Sequence, residues 1–279
     1  MTISSDDVAI TTGDDHRYTL LARLPDAPSA RLLWLPALGV AAKHYLPLAE
    51  ALAARGVAVY LHEWRGNGSS SLRPDKQHDW GYKQLLVEDI ASSHAQMNSA
   101  TSASIPTIIG GHSLGGQLAS CYLGLHAQDF QKLWLVASGT PHWRTFPAPR
   151  GWLLPFFYQF AIWLAHHRGA FPGRQLGFGG VEARSLICDW ASVGLSGRYA
   201  AAGLDVDLQA AMAAAAPEVR GVLFKQDWLA PQASLAALLA KMPKAGKQVV
   251  ALDSSTLGVR ADHFAWMKQP GAVVDALLK

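Results

Sequence analysis

Cysteine is scarce in this chain, since Cys121 and Cys188 are the two cysteines among 279 residues. Both stand in apolar surroundings, and two thiols are too few for the disulfide framework of a small secreted protein. We expect small buried hydrophobic residues here rather than a disulfide pair. Residues 1–10 carry acidic side chains where a secretory signal would need bases and an apolar run. These features favour a cytoplasmic protein.

Concentrated charge is also missing. The formal net charge is +3, only 16% of the residues are charged, and there is no lysine-rich run or zinc-finger signature, so nucleic acid is not expected as a partner. The pair His166-His167 has no neighbouring ligands at metal spacing, and we expect neither a metal nor another cofactor. Half of the residues are hydrophobic, which is enough for one large domain or one domain with an insertion.

Short apolar runs alternate with amphipathic segments along most of the chain. Predicted strands are Arg17–Leu24, Arg31–Leu35, Val57–Leu61, Thr107–Gly110, Lys132–Ala137, Gly221–Phe224 and Gln248–Leu252, the first two joined at Pro25–Pro28 by a hairpin or short loop. Predicted helices are Tyr45–Arg55, Tyr82–Ser99, Leu114–Ala127, Pro231–Met242 and Ala272–Leu278. This alternation predicts an α/β fold with a mostly parallel central sheet and helices on both faces.

The alternation stops from Pro141 to about Pro217, where no short strand is evident. We predict a core of residues 1–140 and 218–279, with residues 141–217 inserted as a helical cap. The alanine-rich stretch Ala201–Ala216 is predicted to be helical. Because the insertion follows a strand that ends near Ser138, it should emerge at the carboxyl edge of the sheet, where ligands bind in open α/β sheets.

A strand, a tight turn and a helix start surround Ser113 in the sequence Gly111-His112-Ser113-Leu114-Gly115. A serine between glycines two positions away arises easily by chance, so the five residues alone carry little weight. The β-branched run before them and the helical spacing after them are what a nucleophile elbow requires. Glycine is needed on either side because a Cβ there would collide with the neighbouring strand and helix. We therefore predict that Ser113 is a nucleophile.

A serine nucleophile needs a histidine base, and the histidine needs an acid that orients its ring. Asp227 directly follows a predicted strand, and His263 lies in the loop after the final one, so both should reach the carboxyl edge of the sheet. Asp227 could instead only cap the helix that follows it. Asp253 is the second candidate for the acid.

The order serine, acid, histidine, together with residues 45–52, 65–69 and 87–90, resembles the α/β-hydrolase superfamily. It is most similar to the lidded branch of monoacylglycerol-lipase-like and serine-aminopeptidase-like hydrolases, and the similarity covers roughly residues 30–140 and 219–268 but not the cap. The resemblance implies the α/β-hydrolase fold and an oxyanion hole built from the backbone N–H groups of Leu38 and Leu114. Pro36-Ala37 stands where the family usually has His-Gly, so Ala37 is an alternative to Leu38.

Aromatic side chains crowd one segment of the predicted cap. Its near-continuous apolarity is typical of a helix that lines an acyl pocket, and it is shorter than the roughly 20 apolar residues of a membrane span. The sequence has no Asp or Glu from Phe130 to Val181. Peripheral membrane contact through the cap is compatible with that bias, but a cap packed on the core is the favoured interpretation. The predicted pocket residues are Trp152, Phe156, Phe157, Phe160 and Trp163.

These residues predict a serine hydrolase of carboxylic esters with small to medium, including lipid-like, acyl chains, acting through an acyl-enzyme on Ser113. Its partner would be a small-molecule ester. The same groups could cleave amides or transfer acyl groups. A different class also stays open, namely a non-catalytic ligand-binding protein that retains the fold, since fold does not dictate function.

Overall fold

A computed structural model describes residues 2–102 and 104–279 of the chain; Met1 and Ala103, both within the predicted core, lie outside the described residues. The strands are β1 (Ile3–Ser5), β2 (Val8–Thr11), β3 (Arg17–Pro25), β4 (Ala30–Leu35), β5 (Val57–Leu61), β6 (Thr107–His112), β7 (Lys132–Val136), β8 (Ala170–Phe171), β9 (Glu182–Ala183), β10 (Glu218–Phe224) and β11 (Gly246–Leu252). The helices are α1 (Leu46–Ala53), α2 (Tyr82–Gln84), α3 (Ala91–Ala100), α4 (Leu114–Leu125), α5 (Arg150–Arg168), α6 (Gly173–Leu176), α7 (Arg184–Ser196), α8 (Leu208–Ala214), α9 (Gln232–Leu239), α10 (Ser254–Leu257) and α11 (Gly271–Leu278). A π-helical stretch, Leu85–Ile90, joins α2 to α3.

The main sheet has the order β1-β3-β5-β4-β6-β7-β10-β11, and β2 pairs with β3. The six strands from β5 to β11 in this order are parallel, whereas β1, β2 and β3 pair antiparallel. The prediction of a mostly parallel sheet is confirmed. The possible hairpin between β3 and β4 is wrong, because β5 lies between these strands and only a short loop joins them.

Apolar side chains of the central strands alternate between two cores, one on each face of the sheet. In β4, Leu33 and Leu35 pack on the side of α4, while Leu32 and Trp34 pack on the side of α1. All residues of β5 and β6 are buried, as expected for parallel strands covered by helices on both faces. Cys121 is buried within α4, and Cys188, on α7, is only partly buried; both are free thiols.

Residues 137–217 connect β7 to β10, which are neighbours in the sheet with Lys132 opposite Glu218. Helices α5 to α8 make up most of this connection. The connection also contains the two-residue strands β8 and β9, which pair antiparallel, so the expectation of no strand there is wrong. Helix in the alanine-rich stretch is confined to α8, which packs on α4. Within the described residues, no helix has the length and apolarity needed to cross a membrane.

Candidate active site

Ser113 occupies the single residue between β6 and α4. Its backbone has φ 55° and ψ −119°, a conformation that L-residues rarely adopt. The Ser113 N–H donates to the Val136 carbonyl of β7 at 3.1 Å, and the Ser138 hydroxyl donates to the Ser113 carbonyl at 2.7 Å. These bonds hold a strained residue at the carboxyl edge of the sheet.

The flanking glycines leave no room for side chains. A Cβ on Gly111 would lie 2.4 Å from the carbonyl carbon of Gly115, and a Cβ on Gly115 would lie 2.1 Å from the Leu35 carbonyl oxygen. Strand β6, strand β4 and helix α4 therefore approach one another through bare backbone. This close approach is the physical reason for the glycine spacing around Ser113.

Asp227 and His263 meet at the same edge of the sheet. His263 Nδ1 lies 2.7 Å from Asp227 Oδ2, and both side chains are buried. The other carboxylate oxygen, Oδ1, accepts from the backbone N–H of Leu229 at 2.8 Å and of Ala230 at 3.2 Å. Asp227 thus fixes its own loop with one oxygen and the imidazole with the other.

Asp253, the second candidate for the acid, has a different role in the structure. Its carboxylate accepts from the Thr256 N–H at 3.1 Å as the N-cap of α10 and pairs with Lys225 Nζ at 3.0 Å. These contacts lower its pKa. Asp253 lies at the surface, where it pairs with Lys225 and does not contact His263.

His112 packs directly against His263, with ring centroids 4.7 Å apart. Its Nδ1 lies 2.8 Å from the Tyr45 hydroxyl, which in turn accepts from the Ala37 N–H at 2.9 Å. Burial, reinforced by the neighbouring His263, lowers the pKa of His112 well below its ordinary value. A neutral His112 keeps a second positive charge away from His263.

Both residues of the predicted oxyanion hole lie at the cavity that contains Ser113. Leu38 and Leu114 line that cavity, and within the described residues neither N–H has a hydrogen-bond partner. The alternative donor, Ala37, already gives its N–H to Tyr45. The geometry leaves Leu38 available in the loop after β4.

A cavity of about 370 Å³ opens at Ser113 and is bordered by both the core and the β7–β10 connection. Of the five predicted pocket aromatics, only Phe157 lines it. The other four are 43 to 74% exposed on the opposite face of α5, so their placement in the pocket is wrong. Periodicity could not separate the two faces because both are apolar. Residues that line the cavity and that sequence reasoning missed include Gln117, Thr140, Leu154, Tyr158, Phe178, Trp190 and Trp228.

Glycines of the β7–β10 connection press on the loop that carries Leu38. A Cβ on Gly39, which has φ +72°, would lie 2.1 Å from the Gly180 nitrogen. The buried Glu182 accepts from the Gly180 N–H at 2.6 Å, and burial raises the pKa of this carboxyl to about 7. The β7–β10 connection therefore packs directly against the loop of the predicted oxyanion hole.

Comparison with known families assigns the chain to one of them. Residues 26–189 match the family model described as serine aminopeptidase S33, which is more than half of the chain. The chain belongs to this hydrolase family. The resemblance to the α/β-hydrolase superfamily inferred from the sequence is thereby confirmed.

Solved structures of other hydrolases share the fold at low sequence identity. A hydrolase from Pseudomonas aeruginosa PA01 superposes with a TM-score of 0.65 at 17% identity, covering 98% of this chain and 97% of the other. A thermophilic esterase from Thermogutta terrifontis, solved with malate bound, gives 0.62 at 15% identity, covering 98% and 97%.

One curated relative is similar in sequence. This is a protein of Schizosaccharomyces pombe named "Putative monoglyceride lipase", which is 32% identical over 123 residues. The match spans 44% of this chain and about a third (32%) of that relative's length.

Proposed function

We propose that this S33-family hydrolase cleaves carboxylic esters with small to medium acyl chains through an acyl-enzyme on Ser113. The observation that carries the proposal is a common cavity lined by Ser113, by the Asp227-bound His263, and by Leu38 and Leu114, whose backbone N–H groups have no partner within the described residues. A nucleophile, a base held in one tautomer and two oxyanion donors are the parts that acyl transfer needs.

In the proposed reaction, His263 Nε2 takes the Ser113 proton while Oγ attacks the ester carbonyl carbon. The resulting oxyanion accepts hydrogen bonds from Leu38 and Leu114. As the tetrahedral intermediate collapses, the ester C–O bond breaks, and the imidazolium gives its proton to the departing alcohol. Water then attacks the acyl-enzyme carbonyl and loses a proton to His263. The bond between the acyl carbon and Ser113 Oγ breaks, the imidazolium returns its proton to Oγ, and the acid is released. Asp227 stabilises the imidazolium throughout without becoming protonated.

The cavity wall favours esters over peptides with a free N-terminus. Recognition of an α-ammonium group calls for a carboxylate, and none of the described residues that line the cavity is Asp or Glu. Its wall is mainly apolar and aromatic, which suits an acyl chain. The name of the S. pombe relative points in the same direction.

We assign residues 141–217 as the cap over this site. Leu154 and Phe157 of α5 and Trp190 of α7 form one side of the cavity, and the core supplies the other. A non-catalytic binding protein would use the same cavity without turnover. Hydrolysis of p-nitrophenyl butyrate separates the two classes. An enzyme should release p-nitrophenol faster than the blank without protein, and a fluorophosphonate should abolish this release. Binding of the ester without release would contradict the proposed esterase activity.

Acyl-chain length should control the rate through Phe157. Each methylene that the apolar wall buries contributes about 0.8 kcal/mol, so kcat/KM should rise up to about fourfold per added CH₂ until the cavity is full. Phe157→Ala should flatten this rise or move its maximum, as measured with p-nitrophenyl esters from acetate to octanoate.

Trp163→Ala is the matched control, because Trp163 belongs to the same helix but is 59% exposed and does not line the cavity. The control should leave the series unchanged. Equal effects of the two substitutions, or a series that is already flat in the wild type, would contradict the assigned acyl pocket.

A further inference from the structure

Gln117 is a polar residue in the mainly apolar wall of the cavity. Gln117 lies on α4 four residues after Ser113, lines the cavity, and is 5% exposed. Its Oε1 accepts from the Tyr199 hydroxyl at 3.3 Å. Its Nε2 has no hydrogen-bond partner within the described residues, yet it is not among the side-chain atoms sealed from solvent. Since the rest of Gln117 is buried, we infer that the Nε2 amide group is accessible from the cavity.

The hydrogen bond from Tyr199 orients the side-chain amide of Gln117. Tyr199 is buried, and its hydroxyl is the donor to Oε1 in the 3.3 Å contact. The NH₂ end of the amide must then point away from Tyr199. A bound acyl chain that excludes water from the cavity would have to supply the acceptor that this donor lacks within the protein.

We propose that Gln117 donates a hydrogen bond to an oxygen on the acyl chain, so that the preferred substrates are esters of oxo-, hydroxy- or ether-substituted acids. This inference rests on the proposed ester hydrolase function. The Gln117 backbone N–H donates to the Ser113 carbonyl at 3.3 Å, so the two residues are one turn apart, and both line the cavity. This proximity places the acceptor within a few carbons of the scissile carbonyl.

The test compares p-nitrophenyl 4-oxopentanoate and 5-oxohexanoate with the similarly shaped 4-methylpentanoate and 5-methylhexanoate. Wild type should prefer the oxo ester of at least one pair by about 3- to 10-fold in kcat/KM. Gln117→Met, which keeps the length of the side chain without its donors, should lose the preference and hydrolyse the methyl esters at least as fast. Tyr199→Phe, which frees the amide to rotate, should reduce the preference in part.

The outcomes separate the two proposals. Hydrolysis of all four esters without an oxo preference, or a preference that survives in Gln117→Met, overturns the role of Gln117 and leaves the esterase intact. Failure to hydrolyse any of the four overturns both. Thermal unfolding of Gln117→Met checks that the variant is folded.

The outer face of α5 does not line the cavity. Four aromatic side chains and a leucine project from this face over successive turns and are 43 to 74% exposed. The opposite face of the same helix, including Tyr158 and Ala161, packs inward. The outer face consists of Trp152, Leu153, Phe156, Phe160 and Trp163.

Positive charge frames this aromatic face. Arg150 begins the helix and Arg168 ends it, while the His167 ring stacks on Trp163 with centroids 5.6 Å apart. No Asp or Glu occurs from residue 130 to residue 181. The Arg150 guanidinium also lies over the ring of Trp228, which lines the cavity, so the face adjoins the cavity mouth.

We infer that the outer face of α5 docks on an anionic phospholipid surface. Aromatic rings enter the headgroup region of a bilayer, and arginines beside them pair with lipid phosphates. A second copy of this chain is a less favourable partner for this face, because two such faces would bring positively charged arginines together.

Sedimentation with vesicles tests this inference. The partition coefficient of the protein, measured from the fraction that pellets with the lipid, should be at least about tenfold higher for phosphatidylcholine vesicles with 30% phosphatidylglycerol than for pure phosphatidylcholine vesicles. Trp152→Ala/Phe156→Ala should abolish pelleting and leave hydrolysis of soluble esters unchanged. Val249→Ala/Val250→Ala is the control, since it removes exposed apolar side chains from β11 instead.

Three results would reject lipid docking: no pelleting by the wild type, equal pelleting by both double variants, or equal affinity for the two vesicle types. A dimer in solution that the α5 variant disrupts, without lipid binding, would identify a second copy as the occupant instead.

Discussion

Ser113→Ala is expected to lower kcat for p-nitrophenyl esters by roughly 10⁴- to 10⁶-fold while the protein stays folded. The hydroxyl is the proposed attacking group, and no other described serine lines the cavity with His263. Residual activity should reflect only substrate binding and the oxyanion donors, which act without the nucleophile. The same substitution should eliminate the covalent adduct that a fluorophosphonate forms with the wild type, as measured by intact mass.

Ser120→Ala serves as the control for that experiment. Ser120 is a buried serine on the same helix whose hydroxyl donates to the Gly116 carbonyl at 2.8 Å, away from the cavity. This variant should keep both labelling and turnover. Labelling that persists in Ser113→Ala, or wild-type protein without any adduct, would remove Ser113 from the mechanism and favour the ligand-binding alternative.

His263→Ala should cost several orders of magnitude in kcat, and Asp227→Asn about 10⁴-fold. The 2.7 Å contact between Asp227 Oδ2 and His263 Nδ1 holds the proton on Nδ1 and leaves Nε2 free to accept the serine proton. An amide at position 227 can present an N–H to Nδ1 instead, which stabilises the tautomer with its proton on the wrong nitrogen. The loss should therefore appear mainly in kcat, with KM little changed.

Asp253→Asn is the matched control, because it makes the same chemical change at the carboxylate that was the second candidate. Asp253 caps α10 and pairs with Lys225, and asparagine also serves as an N-cap, so Asp253→Asn should leave both stability and activity little changed. Near-normal turnover in Asp227→Asn combined with inactive Asp253→Asn would show that the acid has been misassigned.

The parts of the fold and site that sequence predicted are those with a local or topological signal. The elbow is defined within about a dozen residues. Its signals are the β-branched residues of β6, the glycines at 111 and 115, and the helical spacing of apolar residues in α4. Asp227 and His263 could be chosen from afar because parallel strands bring the loops at their carboxyl ends to one edge of the sheet. Two acids satisfied this rule, and the contact of Asp227 with His263 and the helix cap made by Asp253 distinguish them.

Other features depend on contacts that no local pattern records. Helix α5 is apolar on both sides, so its sequence could not tell that Phe157 faces the cavity and Phe156 faces outward. The position of β5 between β3 and β4 depends on crossover topology rather than on the turn at Pro25–Pro28. Gln117 was one helical turn from Ser113, a spacing that could have identified it, but its partner Tyr199 is 82 residues away.

The unequal burial of the two cysteines provides a spectroscopic handle. Burial raises the pKa of the Cys121 thiol to about 12 and hides it within α4, which leaves it unreactive toward maleimides. Cys188 is partly accessible on α7, though burial raises its pKa too, so alkylation should need mildly alkaline buffer. A single fluorophore or spin label can thus be attached to the proposed cap of the unmodified chain. Changes in its signal upon ester or vesicle addition would report cap displacement without any engineered cysteine.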